Sequence, residues 1–236
     1  MTEHLIPVEK RVLYEDNHII IINKLPSEIV QGDKTGDTPL SETVKQYIKK
    51  KYDKPGEVFL GVVHRLDRPV SGAVIFARTT KALSRLNNMI KDREIKKKYW
   101  AIVKQAPEAT EDNLIHYMIR YPEKNKSVAY RKERKNSKRA ELNYKFLSSS
   151  KTFSLLEVEL LTGRHHQIRA QLSAIGSPIK GDLKYGFPRS NKDASISLHA
   201  VSLEFIHPVS KEKVAVTAKP PQDNVWDYFA ENHLSQ

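Results

Sequence analysis

The sequence predicts an α+β fold: a mixed, largely antiparallel sheet with flanking helices. Strand-like segments outnumber helical segments, and the two kinds do not alternate regularly along the chain. Regular alternation is typical of doubly wound nucleotide-binding folds, so the pattern disfavours that class. A length of 236 residues suits a single domain over residues 1–236, or two closely joined subdomains within it.

The first third of the chain predicts a hairpin, a helix and two further strands. Residues 11–14 and 19–24 are strand-like and flank a turn at residues 15–17. Thr38 and Pro39 predict a helix start, with Thr38 as the cap and proline at the first helical position. Apolar spacing extends this helix to about Tyr52. Two apolar runs, residues 58–63 and 73–77, predict buried strands around a polar loop.

The remaining elements follow from the same periodicities. Thr79 and Thr80 predict the cap of a second helix, whose buried stripe holds Leu83, Leu86, Met89 and Ile90. A short helix beginning near residue 166 ends at residue 176, a glycine. A closing helix is expected over residues 223–233. Strands are predicted near residues 96–103, 114–119, 127–130, 140–147, 153–161, 196–205 and 213–218.

Composition restricts the function classes. Forty Lys and Arg against 28 Asp and Glu give a net charge of +12, which favours a polyanionic partner such as nucleic acid or an anionic membrane surface. No apolar run approaches the roughly 18 residues of a membrane span, and residues 1–7 do not resemble a signal peptide. The absence of cysteine excludes disulfides and thiolate metal sites. These features predict a cytoplasmic protein.

The polar loop at residues 64–72 carries the strongest chemical signal. It places Asp67 between Arg65 and Arg68, on a segment whose backbone is restricted by Pro69 and made flexible again by Gly72. Neighbouring cations favour the charged form of a carboxylate, and a carboxylate on a rigidly supported loop suits a nucleophile. The plainer interpretation of an acid between two arginines is a structural ion pair.

A second polar cluster occupies residues 163–169, where two arginines, two histidines and a glutamine follow a glycine turn. An anion-binding turn at a helix start fits this composition. A metal site is not predicted, because adjacent histidine side chains diverge and no third ligand is near in sequence. Tyr99 follows three lysines in a strand-like segment, and residues 179–186 form a glycine-containing connection that precedes Leu198.

A basic segment spans residues 120–139. It contains nine lysines and arginines against two glutamates, with Tyr121 and Tyr130 interleaved. Such a composition attracts RNA phosphates and offers rings for base stacking. The alternative is a solvated hairpin whose lysines protect a strand edge.

Taken together, these segments resemble the RluA-type family of RNA pseudouridine synthases, most specifically at residues 64–67 and 163–169. The resemblance extends from residues 12–23 to His199 and on to residues 206–208. Val70, His165 and Gln171 stand where the family commonly has threonine, threonine and histidine. The resemblance implies a pseudouridine synthase-like catalytic domain with a central RNA-binding cleft. About ten residues precede the first strand, so the separate S4-like module of larger relatives is not expected.

The resemblance also implies roles for particular residues. Isomerisation of uridine needs neither redox chemistry nor a second substrate, so no cofactor and no metal are expected. A carboxylate would attack either C1′ of the ribose or C6 of the uracil and later leave. The expected partner is structured rRNA or tRNA, bound by a monomer. The implied catalytic residues are Asp67 as the nucleophile, Tyr99, which would stack on the flipped uracil, and Arg169, which would pair with Asp67. The implied substrate-binding residues are Arg65, which would fill the place of the flipped base in the RNA stack, and Arg164, which would support the loop or bind a phosphate. His64 and Leu198 complete the implied substrate-binding set, with Leu198 at the floor of the pocket.

Two other functions fit parts of the sequence. A noncatalytic RNA-binding or RNA-folding protein on the same scaffold would explain the basic charge, but it leaves the acid, tyrosine and arginine set without a purpose. DNA binding is disfavoured because no helix concentrates base-reading side chains.

Overall fold

A computed structural model of the protein describes residues 6–233, so the expectation about a signal peptide at residues 1–7 lies largely outside the described residues. The chain divides into two compact units. The first unit combines residues up to Lys96 with residues from Ala200 onwards, and the second unit comprises residues 97–199.

The helices and strands agree closely with the sequence-based expectation, and the predicted α+β class is confirmed. Every strand pairing whose register is defined within the named strands is antiparallel. In chain order the elements are β1 (Val12–Glu15), β2 (Ile19–Lys24), α1 (Leu40–Lys51), β3 (Gly61–Val62), β4 (Ser71–Ala77), α2 (Thr80–Lys91), β5 (Lys96–Val103), β6 (Glu111–Tyr121), β7 (Lys126–Tyr130), β8 (Lys138–Ser149), β9 (Ser154–Leu160), α3 (Gln167–Ala174), β10 (Leu198–Ile206), β11 (Lys213–Thr217) and α4 (Asn224–His233).

The first unit is built on β4, which is buried throughout, and β2, which is buried except at Asn23. Its strand order is β1-β2-β4-β10, with β11 beside β10 and β3 beside β4. Consecutive residues Ile19–Lys24 pair with residues 72–77, and the four isoleucines of β2 have no exposed surface. A continuous apolar run, rather than an alternating one, is typical of a strand covered on both faces. Leu86 and Met89 of α2 pack into the same core as Ile75 and Phe205.

The start of α1 differs from the prediction. Thr38 does not cap the helix: Pro39 is the cap residue, it makes no side-chain cap bond, and the helix begins at Leu40. The backbone N–H groups of Leu40 and Ser41 instead donate to the carbonyls of Ile29 and Val30, at 2.8 and 3.2 Å. A tertiary contact therefore satisfies donors that a local cap satisfies elsewhere. By contrast, α2 is capped as predicted, because Thr79 Oγ1 accepts from the N–H of Ala82 at 3.1 Å.

The predicted strand at residues 58–63 is also too long. Only Gly61–Val62 pairs with β4, and the side chain of Phe59 is 43% exposed. A strand has two hydrogen-bonding edges. Along β4 one edge is taken by β2, while β10 and β3 share the other. Most of the predicted strand at residues 58–63 therefore finds no free hydrogen-bonding edge on β4.

The second unit is a five-stranded antiparallel arrangement in the order β5-β9-β8-β6-β7. Helix α3 packs against it through a small cluster of Met118, Ala140, Ala170 and Tyr185. The cap residue of α3, His166, has a left-handed backbone with φ of 54°. That conformation turns the chain sharply from the polar segment 163–165 into the buried helix.

Gly72 tests the packing of the first unit. Its φ is +117°, and a Cβ at this position would lie 2.4 Å from both the N and O atoms of Ala200. We expect Gly72→Ala to lower the free energy of unfolding by roughly 3 kcal/mol, through backbone strain and overpacking. Urea denaturation would measure the change. Gly32→Ala is the matched control, because nothing lies within 4 Å of its Cβ position. Equal stabilities of the two variants would contradict this account.

Candidate active site

The loop that carries Asp67 is fixed by backbone hydrogen bonds of the first unit. The N–H of Val70 donates to the carbonyl of Asp67 at 3.0 Å and closes a four-residue turn. The N–H of Ser27 donates to the carbonyl of Arg68 at 2.9 Å. Asp67 itself is half-buried. The carboxylate therefore stands on a turn whose backbone is held from the neighbouring segment.

Lys24, the last residue of β2, stabilises this loop by hydrogen bonds from the interior of the first unit. Its side chain is fully buried, and Nζ donates to the carbonyls of Leu25, Arg68 and Val70 at 2.9, 3.1 and 2.6 Å. Burial lowers the pKa of Lys24 to about 7, against the opposing charges of Glu28 and Asp67. Three carbonyl acceptors require three N–H protons, so this arrangement corresponds to the ammonium form. Sequence analysis did not single out Lys24, since a lysine at a strand end usually reaches solvent.

The two arginines beside Asp67 differ in their exposure and in their partners. Arg68 forms an ion pair with Asp37 at 2.6 Å and lies 3.9 Å from Asp33, so its guanidinium is directed to the preceding loop. Arg65 is exposed, and its side chain makes no hydrogen bond or ion pair within residues 6–233. Lys24, a buried cation of the first unit, interacts electrostatically with Asp67. The tripeptide pattern could not reveal this, because side-chain direction depends on the turn.

His64 begins the same loop and contacts the adjoining strand. The N–H of Ile75 donates to His64 Nε2 at 3.1 Å, so that nitrogen is unprotonated and the ring supports the entry to the loop. His64, Arg65 and Asp67 thus lie on one continuous segment of the first unit. The other predicted site residues belong to the second unit.

Arg169 lies on α3 and is held by a buried carboxylate. Its Nε and Nη2 donate to the two oxygens of Asp182, at 2.7 and 2.9 Å, and Asp182 is 1% exposed. The guanidinium carbon also lies 5.0 Å from the ring centre of Tyr185. This bidentate pair uses two of the three guanidinium nitrogens and fixes the plane of the group. That Arg169 pairs with Asp67 stays a prediction.

Tyr99 and Leu198 are both buried in the second unit, with 7% and 4% of their surface exposed. Tyr99 lies on β5 opposite Val158 of β9. Leu198 begins β10. Arg164, in contrast, is exposed in the turn before α3, where its Nε donates to the carbonyl of Arg139 at 3.0 Å. Of the predicted site residues in this unit, Tyr99 and Leu198 are therefore buried, whereas Arg164 is exposed.

Several of the polar side chains at residues 163–169 form hydrogen bonds that stabilise the fold. Gln167 accepts from Thr162 Oγ1 and from the N–H of Arg164, and it donates to the carbonyl of Glu141. His166 forms a hydrogen bond of 2.9 Å with the hydroxyl of Tyr185. Burial lowers the pKa of His166 to about 2, with the charge of Arg169 adding to the effect. This histidine therefore stays neutral at physiological pH.

The two tyrosines of the basic segment contact each other. The hydroxyls of Tyr121 and Tyr130 lie 3.1 Å apart, and the guanidinium of Arg134 lies 3.8 Å from the ring centre of Tyr130. Within residues 6–233, no group of three or more histidines and acids is placed to hold a metal ion. In the same range, no helix is both long and apolar enough to cross a membrane.

Comparison with known proteins places the chain in a family. Residues 18–174 match the family described as RNA pseudouridylate synthase. The chain belongs to this family. The predicted family and isomerase class are thereby confirmed, and the match includes Asp67, Tyr99 and Arg169 but not Leu198.

Several bacterial members of the family are similar over most of the chain. Ribosomal large subunit pseudouridine synthase D of Xanthomonas campestris pv. campestris is 33% identical, over 90% of this chain and 66% of that protein. The synthase of the same name from Zymomonas mobilis is 32% identical, over 92% and 71%. Ribosomal large subunit pseudouridine synthase C of Buchnera aphidicola is 32% identical, over 99% and 73%. The chain thus spans about two-thirds to three-quarters of the length of these relatives.

Solved structures in the family share the fold. Human RNA Pseudouridylate Synthase Domain Containing 4 superposes with a TM-score of 0.78 at 24% identity, over 94% of this chain and 93% of that chain. Human RNA Pseudouridylate Synthase Domain Containing 1 gives a TM-score of 0.70 at 23% identity, over 92% and 86%. The predicted pseudouridine synthase-like fold is confirmed.

Replacement of Lys24 tests the support of the Asp67 loop. Lys24→Met would leave three buried carbonyls without their donor, and each such group costs about 1–3 kcal/mol. We expect the free energy of unfolding to fall by about 3 kcal/mol or more, and the Val70 N–H to exchange faster with deuterium. Lys50→Met, at an exposed position of α1, is the control and should change neither quantity. Unchanged exchange at Val70 in Lys24→Met would contradict the proposed support.

The lowered pKa of His166 predicts that the protein becomes less stable as the pH falls. The folded pKa of His166, about 2, lies below the ordinary value of about 6.5, so the unfolded chain binds more protons between these limits. Its contribution is full above about pH 6.5 and declines as pH falls, by up to roughly 1.4 kcal/mol per pH unit. Urea denaturation at pH 7, 6 and 5 would show a shallower pH slope for His166→Asn, since asparagine tolerates the left-handed backbone. Parallel slopes for the two proteins would refute this assignment.

Proposed function

We propose that the protein isomerises specific uridines of rRNA or tRNA to pseudouridine, with Asp67 as the nucleophile and base flipping as the means of access. The reaction class, isomerisation of uridine in RNA, follows from membership in the RNA pseudouridylate synthase family. The reaction breaks the bond between uracil N1 and ribose C1′, joins C1′ to uracil C5, releases the C5 proton and adds a proton to N1, so that the composition is unchanged. A carboxylate suits the transient covalent adduct because it is both a nucleophile and a leaving group. The fixed loop and half-buried position of Asp67 support this role.

In this proposal Arg169 orients the nucleophile. Asp182 holds Nε and Nη2 of the guanidinium and so fixes its plane; in the proposed role this guanidinium pairs with the Asp67 carboxylate. Positive charge at this point favours the ionised, nucleophilic form of an acid. Tyr99 stacks on the flipped uracil, and Leu198 provides an apolar floor beneath it. Burial of both side chains suits contact with a base that has left water.

The exposed arginines act on the RNA around the target. Arg65 carries a planar guanidinium without a protein partner in the described chain, so it suits the space that the flipped base leaves in the stack. Arg164 binds a phosphate from its anchored position. His64 borders the substrate from the base of the Asp67 loop.

The names of the bacterial relatives make large-subunit rRNA the first target to test for this protein. We further propose that residues 1–236 act as one catalytic domain, as a monomer in the cytoplasm. No metal or other cofactor is required, since the reaction transfers one base within one nucleoside and changes no oxidation state.

Asp67→Ala should abolish isomerisation, by roughly 10⁴-fold or more, while RNA binding survives. Because product and substrate have equal mass, the measurement is primer extension after treatment with a pseudouridine-selective reagent. The RNA is total cellular RNA from a strain that lacks the gene. Asp92→Ala, which removes an exposed carboxylate after α2, is the control and should convert uridine at the wild-type rate.

Two outcomes would count against this proposal. Retained isomerisation in Asp67→Ala would eliminate the aspartate mechanism. Wild-type protein that binds RNA but converts no uridine would favour a noncatalytic RNA-binding or RNA-folding protein on the same scaffold.

A further inference from the structure

The second unit contains a basic cavity, and Arg164 is the one lining residue to which the proposed function already gives a role. The volume of the cavity is about 480 Å³, within the range of roughly 300–1,000 Å³ typical of small-ligand pockets. It lies between the β6–β7 hairpin, the start of β8 and the turn before α3. The polar residues that line it are Arg120, Ser127, Asn136, Lys138, Arg164 and His165, and no carboxylate is among its lining residues.

The cations of this cavity are available to a ligand. The side chains of Arg120 and Lys138 are exposed and make no hydrogen bond or ion pair within residues 6–233. Arg164 is held through Nε alone, by the carbonyl of Arg139. Arg139, by comparison, is exposed but paired with Glu141. Three cations without a carboxylate partner thus meet at one concave surface, where positive potential is concentrated.

The wall and floor of the cavity are rigid. Ser127 is buried, and its Oγ lies 2.9 Å from His165 Nδ1. The N–H of Ser127 donates to the hydroxyl of Tyr185, which also bonds to His166. The rings of His165 and His166 are stacked, with centres 3.8 Å apart and planes 20° apart, so the expectation that these adjacent side chains diverge was wrong. The ring of His165 is therefore held in one orientation at the side of the cavity.

A second cavity of the same unit provides the contrast. It has nearly the same volume, about 470 Å³, but it is lined by the carboxylates Glu111, Asp112, Glu157 and Glu159. Strand β8 contributes to both cavities, with Lys138 at the basic one and Lys145 at the acidic one. The charge of the unit is therefore segregated, and only one of the two cavities suits an anion.

We propose that the basic cavity binds one nucleotide of the RNA substrate other than the uridine being isomerised. Its phosphate contacts Arg120, Lys138 and Arg164, and its base lies against His165. A flat ring beside a cluster of cations is the combination that single-stranded RNA binding uses. This inference rests on the proposed function, because it takes RNA as the substrate. It assigns to this chain a contact that helps to select the RNA by its strand geometry rather than by base sequence.

The charge test compares two lysines of one strand. A labelled RNA hairpin with a single-stranded loop is titrated with full-length protein at 50 to 200 mM salt. Lys138→Gln and Arg120→Gln should each weaken binding about fivefold, and each should reduce the slope of log K against log salt by roughly 0.7–0.9. Lys145→Gln removes the same charge at the acidic cavity and should leave the slope unchanged. Equal slopes for Lys138→Gln and Lys145→Gln would overturn the proposal.

The stacking test uses His165. His165→Ala should weaken binding of the same hairpin about tenfold, and His165→Phe should restore most of it, because phenylalanine keeps the flat ring but loses the bond to Ser127. Failure of phenylalanine to restore binding would contradict stacking. Inorganic phosphate at 10 mM is added in a separate arm. If phosphate leaves RNA binding to wild type unchanged, and wild type and Lys138→Gln give equal salt slopes, RNA does not occupy the cavity and the inference fails.

Failure of this inference is distinguishable from failure of the proposed function. Isomerisation by wild-type protein is measured in parallel on total cellular RNA. If wild type converts uridine while the Lys138 and Lys145 variants bind alike, only the cavity assignment is wrong. If wild type converts nothing, the reaction is wrong, and the salt slopes still report whether RNA occupies the cavity.

Discussion

The buried ammonium group of Lys24 is the constraint on which the candidate active site depends. Removing an ammonium from water costs several kcal/mol even after the protein relaxes. Here that cost is offset by three backbone carbonyls and by the charges of Glu28 and Asp67. Two of these carbonyls belong to the turn that follows Asp67. The same interaction that makes the buried charge tolerable therefore fixes the backbone that carries the carboxylate.

The second unit follows the same rule with different groups. Arg169 and Asp182 form a buried bidentate pair, and His166 is buried as a neutral ring beside Tyr185. A buried polar network of this kind is stable only when its members are satisfied, so it holds them in one arrangement. The polar residues of the chain thus fall into two classes. Partnered and buried groups set geometry, whereas exposed cations such as Arg65 and Arg120 remain available to a polyanion.

This division also explains why local sequence was a good guide to elements and a weaker guide to contacts. The strands β2 and β4 follow from uninterrupted apolar runs, and α2 follows from the cap residue Thr79, because these signals act within a few residues. Thr38 was assigned a cap role on equally local grounds. It was wrong because carbonyls of residues 29 and 30 satisfy the helix start from another part of the chain.

The sequence by itself determined the fold class, most element boundaries, the family and the loop on which Asp67 lies. These depend on periodicity and on short motifs that are continuous along the chain. Only the tertiary structure decided that Arg68 turns to Asp37, that Lys24 lies beneath the loop, and that Asp182 holds Arg169. Each of these contacts joins residues at least 13 positions apart and depends on the direction of a side chain after packing. Packing, and not the identity of neighbours in sequence, selects the partner of a buried charge.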